Sequence, residues 1–170
     1  MISHFGPCLG GMDDLNAYNK PLNVTIPIGN PNIVKTIVKN IINPNISYPN
    51  IIHPNFEVVD PETFKIGRGN VIEGACYASC DVELGNFNVL NGSIVFGHDC
   101  KVGSYNVFMP DMRISGGVTI GECNLFGVGS IILQGIKIGQ GVNLAPGSVL
   151  MTKPKDGNLY MGVPAKKTVF

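Results

Sequence analysis

The sequence has no tryptophan, only three histidines and few charges: 14% of its 170 residues are Asp, Glu, Lys or Arg, and the formal charges cancel to +0. A thinly charged, balanced chain lacks the basic footprint of a nucleic-acid or membrane-surface binder, so a small neutral or anionic partner is expected. No apolar run is long enough to span a bilayer, and the amino end lacks the basic and apolar regions of a signal peptide. A soluble cytoplasmic protein is the expectation. The five cysteines, Cys8, Cys76, Cys80, Cys100 and Cys123, form no CxxC pair. That argues against a disulfide framework or a zinc knuckle and leaves reduced thiols. His4, His53 and His98 are scattered singly, whereas an imidazole-bound metal needs them to converge, so no metal is expected.

Glycine (22 residues) and proline (12) are plentiful, which suits short strands joined by tight corners. From Ile66, Ile72 and Ala78 through to Leu144 and Leu150, every sixth residue is apolar without a slip. Every third member of that series is followed by glycine, at Gly67, Gly85, Gly103, Gly121 and Gly139. A period of six fits neither an α-helix nor an alternating strand; it is the hexapeptide repeat of a parallel β-helix, in which three hexads make one coil. Residues eighteen apart then stack about 4.8 Å from one another, giving about five coils. The inward positions are the hexad's first residue and the one four after it. On the glycine-bearing side the second set reads Asn70, Asn88, Asn106 and Asn124, an interior ladder of amides. The same rule buries Cys76 and Cys100, which then serve as small apolar residues.

Ahead of the array, Gly10-Gly11 and Asp13-Asp14 suggest a turn into a short helix around 15–18. The β-rich run 22–28 ends at Gly29-Asn30, and helical spacing follows over 31–42, with Pro31 in the first turn and Asn43-Pro44 as the stop. The expected organisation is a partial α/β segment over 1–45, a β-helix over 46–152, and a turn and cap over 153–170. The stretch 46–64, broken by Pro49, Pro54 and Pro61, reads as a linker passing into a distorted first coil.

His98 stands two residues after the inward Phe96, so it points outward at a corner. Counting in eighteens puts Cys80 below it and Gly116 above. Gly116 and Gly117 would leave a side-chain-free shelf over the imidazole, with backbone N–H groups turned toward a bound carbonyl. A base beside an oxyanion donor is the arrangement that acyl transfer needs.

The hexad array, the run Ile51-Ile52-His53-Pro54, the segment from Phe96 to Gly103, Ser115-Gly116-Gly117-Val118 and the closing Gly162-Val163-Pro164-Ala165-Lys166 resemble the left-handed β-helix acyltransferases. Within these the chain is most similar to the bacterial sugar acetyltransferases that include sialic acid O-acetyltransferase and the nucleotide-linked amino-sugar N-acetyltransferases. The match is good over roughly 45–167. Residues 10–42 resemble the later part of that family's amino-terminal nucleotide-sugar domain, whose first strand and glycine-rich loop have no counterpart here.

The resemblance implies a left-handed coil and acetyl-CoA as co-substrate. It implies His98 as general base, the Gly116 N–H as oxyanion donor and Asp99 as an acidic neighbour of the imidazole. Gly116, Gly117, Gly127, Val128, Ala145 and Lys153 would line the acetyl-CoA path, and Gly29, Asn30 and His53 would meet the sugar acceptor. It further implies a homotrimer with active sites between subunits. The chain departs from the family at Gly97, Val107 and Pro146, where some relatives carry an acid, a histidine and a backbone donor. N-acetylation of an amino sugar, O-acetylation of a sugar, and a non-catalytic trimeric scaffold are the three functions to be weighed.

Overall fold

The computed structural model describes residues 2–3 and 6–168; His4 and the end of the expected cap, Val169 and Phe170, lie outside the described residues. Residues 51–150 wind into a parallel β-helix of triangular section, built of two-residue strands. The first side stacks Lys65–Ile66, Glu83–Leu84, Lys101–Val102, Thr119–Ile120 and Lys137–Ile138. The second begins at Ile51–Ile52 and climbs through Val71–Ile72, Val89–Leu90, Val107–Phe108 and Leu125–Phe126 to Asn143–Leu144. The third runs from Glu57–Val58 through Tyr77–Ala78, Val95–Phe96, Arg113–Ile114 and Ile131–Ile132 to Val149–Leu150. Pairing is parallel and advances by eighteen, as in Val95 with Arg113 and Arg113 with Ile131. The coil is left-handed, the hand that the sequence resemblance implied.

Each hexad earns this shape locally. The residue three after the inward one takes a left-handed backbone conformation, as at Asp81, Asp99 and Gly117 (φ +57°, +57° and +68°), and turns the chain through the corner. The glycine after each first-side strand is a close-approach residue: a Cβ on Gly85 would fall 2.6 Å from the Gly103 carbonyl oxygen. The interior is a stack of large apolar side chains, with Phe96, Phe108, Phe126, Ile132 and Leu150 all inaccessible. Cys76 and Cys100 lie within it, and burial pushes both thiols up in pKa.

Asn70, Asn88, Asn106 and Asn124 are likewise inaccessible, and they satisfy one another. In the first three, Oδ1 accepts from both the backbone N–H and the Nδ2 of the asparagine one coil up, as Asn88 does from Asn106 at 2.9 and 3.1 Å. Each Nδ2 also donates to a corner glycine carbonyl, Asn88 to Gly103 at 2.9 Å. Asn50 extends the ladder one coil downward, and the Val142 N–H closes it at the top.

The stretch 46–64 holds the distorted first coil that was expected in it, and pairing onto the coils starts there at Ile51. The helix begins one coil earlier than the repeat announces, with Ile51 paired to Val71 and Glu57 to Tyr77, an offset of twenty. The two extra residues sit in the turn at 60–63, after which Thr63 Oγ1 accepts from the Asp81 N–H, eighteen ahead. Prolines are tolerated there because each lies outside a two-residue strand and owes no ladder hydrogen bond.

In the amino-terminal segment, helix α1 spans Met12–Ala17 and helix α2 spans Pro31–Asn40. The run 22–28 is strand only at Leu22–Asn23, paired with Ile46–Ser47; Pro27 breaks the remainder. The segment packs against Phe87 and Tyr105, at the corner between the first and second sides. At the other end, Leu159–Met161 adds to that side and Lys166–Thr168 returns antiparallel to it. Tyr160 plugs the core from this hairpin, and its hydroxyl accepts from the Lys155 N–H.

Replacing Asn88 by leucine strips an acceptor from two buried donors of Asn106. Chemical denaturation should show a loss of roughly 2–5 kcal/mol. In the native protein a thiol reagent should leave Cys76 and Cys100 unmodified until the chain unfolds. Because burial raises both thiol pKa values, their contribution to stability is complete at neutral pH and is lost as pH climbs through the alkaline range where thiols ionise.

Candidate active site

Position 98 lies at the corner between the third and first sides, and its neighbours are those that counting in eighteens gives. The Asp99 N–H donates to the Cys80 carbonyl below (3.1 Å), and the Gly117 N–H to the His98 carbonyl from above (2.7 Å). The His98 side chain is 53% exposed and lies flat across Gly116. A Cβ on Gly116 would stand 2.5 Å from His98 Nε2 and 2.7 Å from Cε1, so only glycine admits the imidazole there.

The other ring nitrogen is occupied: Nδ1 is 2.6 Å from Asp99 Oδ2. A carboxylate at Nδ1 holds the proton on that nitrogen, which leaves the Nε2 lone pair facing the shelf. Asp99 directly follows His98 and stands at the left-handed corner position (φ +57°).

Of the two shelf glycines, one keeps a free donor. The Gly117 N–H is spent on His98, whereas Gly116, buried beneath the imidazole, has an N–H without an acceptor among the described residues. Buried backbone donors are nearly always paired, and an unpaired one beside a base is suited to an oxyanion. Gly97 fits the same geometry, since a Cβ there would stand 2.6 Å from the Gly116 nitrogen. An acidic side chain just before His98 would collide with the shelf.

Other residues singled out from the sequence stand elsewhere. Gly127, Val128 and Ala145 occupy the corner between the second and third sides, one full side away from His98. Gly127 is buried with its N–H given to Leu144, so the group offered here is Val128, 46% exposed and with no acceptor for its N–H among the described residues. Pro146 follows directly above it. Val107, on the second side, is 1% exposed and meets no open surface. Lys153 is exposed and follows the third side's last strand at the His98 corner.

Gly29 and His53 keep to the Val128 corner. A Cβ on Gly29 would lie 3.9 Å from Met109 Cε, and the His53 ring sits under Gly74 with Nδ1 accepting from the Asn55 N–H. Asn30 is the N-cap of α2, its Oδ1 accepting from Asn32 and Ile33. A cleft of about 650 Å³ in the amino-terminal segment, lined by Gly11, Met12, Asp14, Leu15, Tyr18 and Leu22, was not anticipated. Its signal was the Gly10-Gly11 pair with Asp14 three residues on, whose carboxylate accepts from the Gly11 N–H at 2.7 Å. Among the described residues no three His, Cys, Asp or Glu side chains gather in a metal-binding group, and no helix is long and apolar enough to cross a membrane.

No protein-family model and no curated protein sequence matches the chain. Solved structures do. The acetyltransferase domain of PglB from Neisseria gonorrhoeae, in complex with acetyl coenzyme A, is 27% identical with a TM-score of 0.89, over 98% of this chain and 80% of that one. A variant of perosamine N-acetyltransferase from Caulobacter crescentus, in complex with CoA and GDP-perosamine, is 26% identical with a TM-score of 0.82, over 87% and 70%. The chain is an acyltransferase of the hexapeptide-repeat kind. WeeI from Acinetobacter baumannii, 22% identical over 99% of this chain and 81% of that one with a TM-score of 0.90, shares the fold. The acyltransferase has the residue types and spacing for acyl transfer at one corner and a second set of exposed groups at another.

Gly116→Ala tests the shelf. The added methyl must push the imidazole off Nε2's position, and acyl transfer should fall by ~10²-fold with little change in melting temperature. Nuclear magnetic resonance of the His98 ring would report the displacement directly.

Proposed function

We propose that the chain transfers an acetyl group from acetyl-CoA to the amine of an amino sugar, most simply a nucleotide-linked one. The observation that carries this reading is the His98 ring, with Nδ1 tied to Asp99 and Nε2 lying on Gly116 beside an unpaired N–H. The bound partners of the solved relatives, acetyl coenzyme A and CoA with GDP-perosamine, supply the substrate classes.

In the proposed step the acceptor amine attacks the thioester carbonyl directly, and no covalent intermediate forms on the enzyme. His98 Nε2 takes the proton that the amine loses as the C–N bond forms. The Gly116 N–H donates to the carbonyl oxygen as it becomes an oxyanion. Collapse breaks the C–S bond, and the imidazolium returns its proton to the departing CoA sulfur. Asp99 stabilises the positively charged ring and fixes its tautomer.

The split between corners favours a homotrimer. A base at one corner and an exposed Val128 N–H at another serve a single CoA when two prisms lie side by side, with Gly117 and Lys153 on one bank and Val128 and Ala145 on the other. Gly29, Asn30, His53 and the cleft beside Gly11 then hold the sugar nucleotide on the second bank. A cytoplasmic location suits a donor such as acetyl-CoA.

Purified chain incubated with acetyl-CoA and a panel of nucleotide-linked amino sugars should release CoA and form an amide. His98→Ala should lower kcat/KM by ~10²- to 10⁴-fold while keeping the oligomer, and Asp99→Asn should cost less, about tenfold. Release of CoA only with hydroxyl acceptors would replace N- by O-acetylation; undiminished turnover in His98→Ala would remove the mechanism.

A further inference from the structure

The left-handed corner position recurs fourteen times between Gly69 and Gly147, and it is filled almost throughout by glycine, alanine, serine, cysteine or aspartate. Two positions break the rule, Phe87 (φ +55°) and Tyr105 (φ +61°). A bulky aromatic residue in this conformation is a genuine outlier, because its Cβ crowds the following carbonyl. Such strain persists only where the surroundings hold it in place.

The two outliers are neighbours. They stand eighteen apart on the corner between the first and second sides, with rings 5.5 Å apart and 4° from parallel. Tyr48 meets Phe87 edge-on at 5.0 Å. Gly69, one coil below, is the residue that makes room, since a Cβ there would lie 2.5 Å from the Phe87 ring. The stack is the floor of a second hydrophobic cluster, whose other members, Ile26 and Val34 foremost, come from the amino-terminal segment. Lys35 of α2 completes the junction: its ammonium lies 5.6 Å above the Tyr105 ring and 3.1 Å from the Glu122 carboxylate.

The junction also sets a height. Gly29 and Asn30 immediately precede α2, and a Cβ on Gly29 would lie 3.9 Å from Met109 Cε. Met109 comes eleven residues after His98 (109 − 98) and seven before Gly116 (116 − 109), inside the single coil that separates base from shelf. The segment is thus anchored at the level along the helix axis where the chemistry lies.

We infer that Phe87 and Tyr105 are positioning residues for the acceptor: their strained rings anchor the amino-terminal segment to the prism so that Gly29 and Asn30 ride level with the His98–Gly116 step of an adjoining copy. This rests on the reading of that segment as the acceptor's holder. Acetyl-CoA, held by the prism corners, should be indifferent to the anchor.

The test replaces both rings by asparagine, which tolerates the left-handed conformation and so leaves the coil unstrained. In Phe87→Asn/Tyr105→Asn, amide hydrogen exchange in α2 should accelerate by ~10²-fold while exchange in the coils holds. The acceptor KM should rise by about tenfold or more, with calorimetric Kd for acetyl-CoA changed by less than about twofold. Tyr105→Phe, which keeps the ring, should behave as the parent. Unchanged α2 exchange, or an unchanged acceptor KM, overturns the inference; if coil exchange also collapses, single Phe87→Asn is read by the same criteria. Should the parent acetylate no nucleotide-linked amino sugar, the functional reading falls, and the exchange experiment still decides whether the rings are the anchor.

Discussion

Everything in this molecule depends on coil stacking on coil in steps of eighteen residues. The backbone of each coil donates to and accepts from its neighbours, so the strands, only two residues long, have no stability of their own and borrow it from above and below. The asparagine ladder is the side-chain form of the same constraint. An asparagine inside an apolar column is tolerable because its amide repeats the backbone's pattern, accepting twice from the coil above and donating both to that coil and to the one below. A one-residue slip would unpair every member at once, which makes the ladder a register lock as much as a source of stability.

The site inherits its accuracy from that lock. His98 and Gly116 are far apart as chain positions, yet they are adjacent rungs, and the corner geometry repeats closely enough that a free N–H falls beside Nε2. Two local features set this corner apart: the missing side chains at Gly97 and Gly116, and Asp99, which ties Nδ1. The other two corners are put to different use: Val128 stands exposed at the hexad position that His98 holds, and Phe87 and Tyr105 stand one position further on, in the left-handed conformation.

Much of this was legible because the repeat is strict. The inward set, the ladder and the placing of Gly116 over His98 follow from counting, since in a stacked coil sequence distance converts directly into spatial neighbours. Where counting failed, the cause was local. The turn at 60–63 holds two extra residues, so the first coil is out of step with the count that starts at Ile66. The run 22–28 looked like a strand by composition, but Pro27 confines pairing to Leu22–Asn23. The Asp99 bond to Nδ1 depends on a side-chain torsion that no period encodes. Asn30 illustrates a different limit: its amide oxygen is used to cap α2. The aromatic outliers were visible as residues, but their strain appears only once the corner conformation is known.

A crystal structure of the chain with CoA bound would be the most direct test. The geometry at His98 predicts the CoA sulfur beside Nε2, within reach of the Gly116 N–H, with the pantetheine running past Val128 of a neighbouring copy toward the carboxy-terminal coils. CoA seated away from the His98 corner, or an empty corner at saturating ligand, would contradict it.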